Sequence, residues 1–222
     1  MITRTKPRWF YGVCIFITGI VLSLMNQGCA LSSNPYFHQA RNFQKGKLTE
    51  DTSFVYRLPY HPGARHRLIQ GYYSRGTHKY RAALDFGMKK GTPVLAARDG
   101  VVERIKDDSN RGGIYKKYRP LANYVTVLHD DGSRASYRHL AFQSVRVQPG
   151  DQVETGQVLG LCGKTGYTFT AHLHFMVSTL VKGEWRQIPT RFKTTHGVTY
   201  LKPYKRYRAT EPETQETLSG DH

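Results

Sequence analysis

The chain has 222 residues, enough for one domain with a real core plus extensions. Hydrophobic residues make up 39% and charged residues 22%, so the bulk is globular, and 15 tyrosines with 21 glycines favour strands and tight turns over helices. The net charge of +17 says nothing about fold; it calls for an anionic partner, whether nucleic acid, a membrane surface or an acidic envelope polymer.

The N-terminus narrows that choice. Arg4, Lys6 and Arg8 precede an uncharged apolar run, residues 9–25. This is the layout of a secretory signal, or of a short transmembrane anchor with its basic flank inside. Gly28-Cys29-Ala30 resembles the end of a bacterial lipoprotein signal, with Cys29 as the lipidated residue, although Asn26 stands where that motif prefers Leu. Either reading exports the rest of the chain to the periplasmic side of a bacterial envelope, anchored by lipid or by an N-terminal helix. Ala30 after the cysteine leans towards the outer membrane. Export makes nucleic acid a poor partner and an envelope polymer a good one.

Residues 29–51 are polar and aperiodic, and are expected to be a tether. From residue 52 to 190, short apolar runs alternate with turn dipeptides such as Asp99-Gly100, Asp131-Gly132 and Pro149-Gly150. Asp131-Gly132, between YVTVLH and RASYRH, is the strongest hairpin signal. The expectation is an all-β domain of short antiparallel strands. Residues 105–122 read as a long basic loop. Residues 191–222 read as an extension, with four acids and no Lys or Arg in its last part, 209–222. Of three cysteines only Cys162 lies in the folded part, which excludes an internal disulfide framework and suits a small packed residue.

Among ten histidines, His172 and His174 stand out in AHLHF. Residues two apart on a strand share a face, and two imidazoles in an apolar run need polar partners or a metal. His78 and Asp85 lie in THKYRAALDFG, and His139 in SYRHL. Histidine and aspartate are suitable zinc ligands, and a catalytic zinc takes three of them and leaves a position for water.

Four segments in order, THKYRAALDF, GTPVLAARDGVV, NYVTVLHDDGSRASYRHL and VQPGDQVETGQVLGLCGKTGYTFTAHLHF, resemble the M23 (lysostaphin/LytM-type) metallopeptidases over about residues 54–180. The resemblance implies a twisted antiparallel sheet with a groove over Zn2+. His78, Asp85 and His174 would be ligands, and His139 and His172 unliganded catalytic histidines that assist a metal-bound water. It further implies a zinc endopeptidase acting on peptidoglycan stem or cross-link peptides. The positive charge, including Lys106 to Arg119, would help hold the enzyme to that polymer by long-range attraction; the other reading of that loop is a solvated basic face.

The chain departs from the family in one place that matters. His78 precedes Asp85 by seven residues instead of the commoner four, so a bulge or loop must intervene. Tyr137, two residues before His139, shares its face on a regular strand and is either a substrate-orienting or a packed residue. A non-catalytic activator of another wall hydrolase is the alternative; retention of all five key residues argues against it. A lipoyl-type carrier, suggested by VQPGDQVETGQVLG, lacks the lysine such domains modify in the intervening DQVET.

Overall fold

The structure is a computed structural model and describes residues 54–211. The expected signal or anchor at 1–28, Cys29, the whole tether at 29–51 and most of the acidic end lie outside the described residues. Among the described residues no helix is long and apolar enough to cross a membrane.

Among the described residues sixteen short strands make the fold. The first five are β1 (Val55–Arg57), β2 (Arg65–Gln70), β3 (Ala83–Gly87), β4 (Pro93–Leu95) and β5 (Gly100–Lys106). Then come β6 (Gly112–Gly113), a 3-10 helix (Lys116–Leu121), β7 (Asn123–Leu128), β8 (Arg134–Leu140), β9 (Gln152–Val153) and β10 (Val158–Leu161). The last are β11 (Gly166–Tyr167), β12 (Leu173–Val181), β13 (Glu184–Ile188), β14 (Arg191–Thr194), β15 (Gly197–Thr199) and β16 (Arg206–Arg208). Nine of them form one sheet in the order β16-β2-β3-β12-β8-β7-β5-β9, with β13 paired to β12. All pairings in this sheet are antiparallel. The Asp131-Gly132 turn joins β7 to β8 as expected: Gly132 takes the left-handed backbone that suits glycine, and the Asp131 carboxylate accepts hydrogen bonds from the Ser133 N–H and hydroxyl.

Period-two alternation gives this sheet two chemically different faces. Leu84 and Phe86 of β3, Leu173, Phe175 and Val177 of β12, and Ala135 and Tyr137 of β8 point into the core. Tyr56, Tyr137 and Phe192 surround Phe175, with ring centroids 6.1, 5.2 and 5.7 Å away. Tyrosine abundance is thus spent partly in the core. The Tyr137 hydroxyl accepts the Ala97 N–H at 2.8 Å, which is how a buried phenol avoids the cost of an unpaired oxygen. Asp85, His174 and Arg138 alternate with these core residues and so lie on the other face.

Two expectations change here. The segment 105–122 is not an open loop: β6 pairs β11, and the 3-10 helix follows. The expected domain edge at residue 190 falls inside the fold. β14 pairs β1 in parallel, its Phe192 is fully buried against the core, and β16 adds the outer strand beside β2. The basic KPYKRYR stretch hid this, because an exposed edge strand needs only one inward residue in two.

Candidate metal centre

The cluster is assembled from three adjacent strands. Asp85 of β3 stands directly opposite His174 of β12, and His174 directly opposite Arg138 of β8. Asp85 Oδ1 lies 2.7 Å from His174 Nδ1 and 3.5 Å from His172 Nε2. His78 sits in the turn before β3, so a loop bridges its seven-residue interval to Asp85, as the spacing required. There its Nδ1 donates to the Gly71 carbonyl at 3.3 Å, which turns Nε2 inward to 3.2 Å from Asp85 Oδ2. That Nε2 is buried and, beyond this contact with the carboxylate, has no hydrogen-bond partner among the described residues.

His139 reaches the cluster by a backbone irregularity. Asn123 pairs Leu140 and Tyr124 pairs Arg138, which leaves His139 as the extra residue of a β-bulge, with φ +67°. A regular strand would put Arg138 and His139 on opposite faces. The bulge lets both reach the His174 side and leaves Tyr137, which regular alternation would place with His139, in the core. Strain of this kind persists where the surroundings enforce it. Here His139 Nδ1 donates to the Thr165 carbonyl at 2.7 Å. Thr165 is itself braced: its hydroxyl donates to Leu140 O and accepts Asn123 N–H. Gly166 follows it at φ +80°, so near Ala122 that a Cβ there would lie 2.5 Å from the alanine Cβ. His172 Nδ1 donates to the Thr170 carbonyl at 3.0 Å, with the Thr168 hydroxyl 3.2 Å away. Because carbonyls accept, both histidines carry hydrogen on Nδ1 and present Nε2 to the site.

The electrostatics follow from burial around one carboxylate. Burial alone would raise the Asp85 carboxyl, but the three surrounding imidazoles outweigh it and hold it well below the usual range. Burial, reinforced by His172 and His174, pulls the His139 imidazole down to about 3. Burial also lowers His174 against the pull of Asp85, whereas for His172 the adjacent carboxylate overcomes burial and raises it.

Among the described residues two overlapping groups could hold an ion: His78, Asp85 and His174, and His139, His172 and His174, each with its donor atoms within 4.8 Å of one another. The first contains the only carboxylate and the orphaned His78 Nε2. A buried aspartate among imidazoles, one with an unused donor atom, is the donor set a divalent metal of zinc type requires. His66 belongs to neither group; its ring packs on Tyr60 and its Nδ1 faces Gly87 O. Cys162 is buried beside Met88 O, and burial pushes its thiol up to about 12, as expected of a packed residue.

A groove of about 720 Å³ opens from His174 along Met176. Its walls carry Arg81, Arg138, Arg186, Tyr80 and Trp185. Sequence reasoning missed these, and the threonines that fix the histidines. GKTGYTFT was the available signal, a run of small hydroxyl residues just ahead of HLH.

Residues 79–187 match Peptidase family M23. The glycyl-glycine endopeptidase ALE-1 of Staphylococcus capitis is 37% identical over 97 residues, 43% of this chain and 24% of that protein. The peptidoglycan DD-endopeptidase ShyA of Vibrio cholerae is 35% identical over 91 residues, 41% of this chain and 18% of that protein. The matched part is therefore under a quarter of either relative. The solved catalytic domain of the antimicrobial peptidase lysostaphin from Staphylococcus simulans aligns at 28% identity and TM-score 0.40, covering 56% of this chain and 87% of that one. The likeness to that family rests on the sequence match over residues 79–187.

Proposed function

We propose that this chain, which carries a peptidase family M23 domain, is a zinc endopeptidase that hydrolyses peptide bonds in the stem or cross-link peptides of peptidoglycan. His78, Asp85 and His174 are its metal ligands, and His139 and His172 the catalytic histidines. The observation that carries the reading is the convergence of those three donors from a turn and two paired strands, with the buried Nε2 of His78 otherwise unused.

When bound there, zinc supplies Lewis-acid chemistry, a polarised scissile carbonyl and a more acidic water. The rest is done by the chain. His139 has Nδ1 committed to Thr165 O and its Nε2 free to accept a proton from the attacking water. His172 keeps its Nε2 beside the Asp85 carboxylate, placed to hold a proton and donate towards the developing oxyanion or the leaving amine. Gly71, Thr165 and Thr170 carbonyls fix which nitrogen each imidazole presents. The groove beside His174 offers arginines and aromatic rings to an acidic peptide.

The relatives named above act on different bonds, a glycyl-glycine link and a D,D link, and both bonds occur in wall peptides. We place the enzyme on the periplasmic side of a bacterial envelope, held by lipid on Cys29 or by residues 9–25 as a helix. The pattern of residues 1–30 supports this. Palmitate labelling that is lost in Cys29→Ala is the expected result, and equal labelling of both proteins ends the lipid assignment.

Purified wall digested by the full-length chain, with mass analysis of the products, tests the activity and identifies the bond. Release of peptides that stops on chelation and returns with zinc is expected. Undiminished release from a chelated, metal-free preparation overturns the metal assignment, and no release from any wall by zinc-loaded protein overturns the peptidase.

A further inference from the structure

At its outer edge the sheet carries a second charged feature. Arg206 of β16 stands directly opposite Arg67 of β2, and Arg208 opposite Arg65. All four are exposed. Residues 65 and 67, like 206 and 208, are two apart, so the four guanidinium stems project from one face. Like charges directly opposite across strands destabilise a sheet. None of the four is in an ion pair among the described residues, whose arginine and lysine pairs are made by Arg98, Arg104, Lys106, Arg134 and Arg186. Among the described residues the only ring contact involving them is Arg67 over Tyr204 at 5.7 Å, itself exposed. The core does not explain the ladder: Leu68 and Tyr207 make the inward contacts of these strands.

Register decides which face this is. Arg67 stands opposite Gly87, and Leu68 opposite Phe86, a core residue. Gly87 follows Asp85 by two residues on β3, so the arginines share the face of Asp85 and His174. At about 7 Å for two residues along a strand and about 5 Å between strands, Arg67 starts some 8 Å from Asp85 at the backbone. Gly87 adds no side chain of its own there, and Ile69 of β2 packs over it, its Cγ2 3.3 Å from where a Cβ would stand. The arginine-walled groove leaves His174 towards Met176; the ladder lies at the opposite end of the paired strands, beyond Gly87.

We propose that Arg65, Arg67, Arg206 and Arg208 form an anion-binding exosite that holds the carboxylate-bearing peptides of a peptidoglycan strand while a neighbouring peptide occupies the metal centre; this rests on the wall-peptidase reading. Planar guanidinium forks match carboxylates, and a repeated pair matches a polymer with repeated acids. A bilayer pressed flat on this face would also cover the cleft. An extended polyanion lies along it and leaves the cleft usable.

The test is cosedimentation of the full-length chain, in detergent, with insoluble purified sacculi in the cold. Wild type binds at low salt and is released as salt rises. Arg67→Gln/Arg206→Gln weakens binding about fivefold or more, whereas Arg146→Gln/Lys182→Gln, which removes the same charge elsewhere, changes it less than about twofold. Sacculi whose carboxylates have been amidated lose wild-type binding to a similar degree. Equal loss in the two paired variants reduces the effect to net charge and overturns the exosite, as does undiminished binding to amidated sacculi. Binding to anionic phospholipid vesicles that depends on Arg67 and Arg206, with sacculus binding independent of them, assigns the ladder to a membrane and overturns the proposal. Thermal melting of Arg67→Gln/Arg206→Gln at or above the wild-type temperature establishes that lost binding is not lost folding. The readout is binding, so ladder-dependent binding without cleavage ends only the peptidase reading, and cleavage without ladder-dependent binding ends only the exosite.

Discussion

One face of one sheet carries two charged clusters that are built in opposite ways. At the centre, Asp85 and the four histidines around it are buried, and each histidine has the carboxylate or a carbonyl beside it. At the edge, four arginines are exposed and confront one another across the strands. A buried cluster is fixed by what surrounds it, so removing one member leaves the others uncompensated. An exposed like-charge cluster is held apart by solvent, so removing a member costs the fold nothing. The two regions should therefore fail differently.

The largest effect is expected at the centre. Asp85→Ala removes the carboxylate to which the imidazoles are oriented, and wall-peptide release should fall about a thousandfold or more. Metal content after dialysis against dilute zinc should fall with it, read by atomic emission. Retention of a full equivalent of zinc would move the ligand set to His139, His172 and His174 instead.

Phe192→Ala comes next, and it probes what supports the face from behind. Phe192 lies past the domain edge that composition suggests, yet its ring meets Tyr56, Phe86 and Phe175. Truncation should cost about 3 kcal/mol or more, read as a lower denaturant midpoint at constant m-value. A change below about 1 kcal/mol would return residues 191–211 to the status of an appended arm.

The centre was legible in the sequence because its chemistry is local to motifs. ALDF and HLHF show alternation, and His and Asp are rare enough in apolar strands to be noticed. Even the seven-residue interval at His78 announced its loop. The edge was not legible, since four arginines in RHR and RYR mean little until register sets Arg206 against Arg67. Nor was the bulge at His139, a single backbone angle that swaps the faces available to residues 137–139. Residues 191–208 read as an extension because strand partners more than a hundred residues away in sequence leave no local trace.

A histidine outside the centre separates burial from function. His129 is buried, its Nδ1 donates to Asp99 O at 2.6 Å, and its ring meets Tyr56 edge-on at 5.6 Å, with Arg98 and the Asp130 and Asp131 carboxylates close enough to act on it. Burial lowers its pKa. The unfolded chain therefore takes up a proton below about pH 6.5 that the folded chain does not, and stability rises with pH through that window. His129→Gln should flatten the stability slope between about pH 5 and 6.5. An unchanged slope would assign acid lability to the central histidines alone.

The smallest effect is the most diagnostic of the edge. Arg208→Glu places a carboxylate directly opposite Arg65, turning a repulsive cross-strand pair into an attractive one. Exposed pairs of this kind contribute only about 0.2–1 kcal/mol, so the melting temperature should rise by a degree or a few at low salt, and the gain should shrink as salt is added. A fall in melting temperature would mean that Arg208 makes a contact the fold needs, and the ladder would then have a structural reason to exist. A rise means the natural sequence keeps an arginine where the fold prefers an acid. Stability forgone at a surface position is what a binding site at the sheet edge predicts, and it is the reverse of what Asp85→Ala should show at the centre.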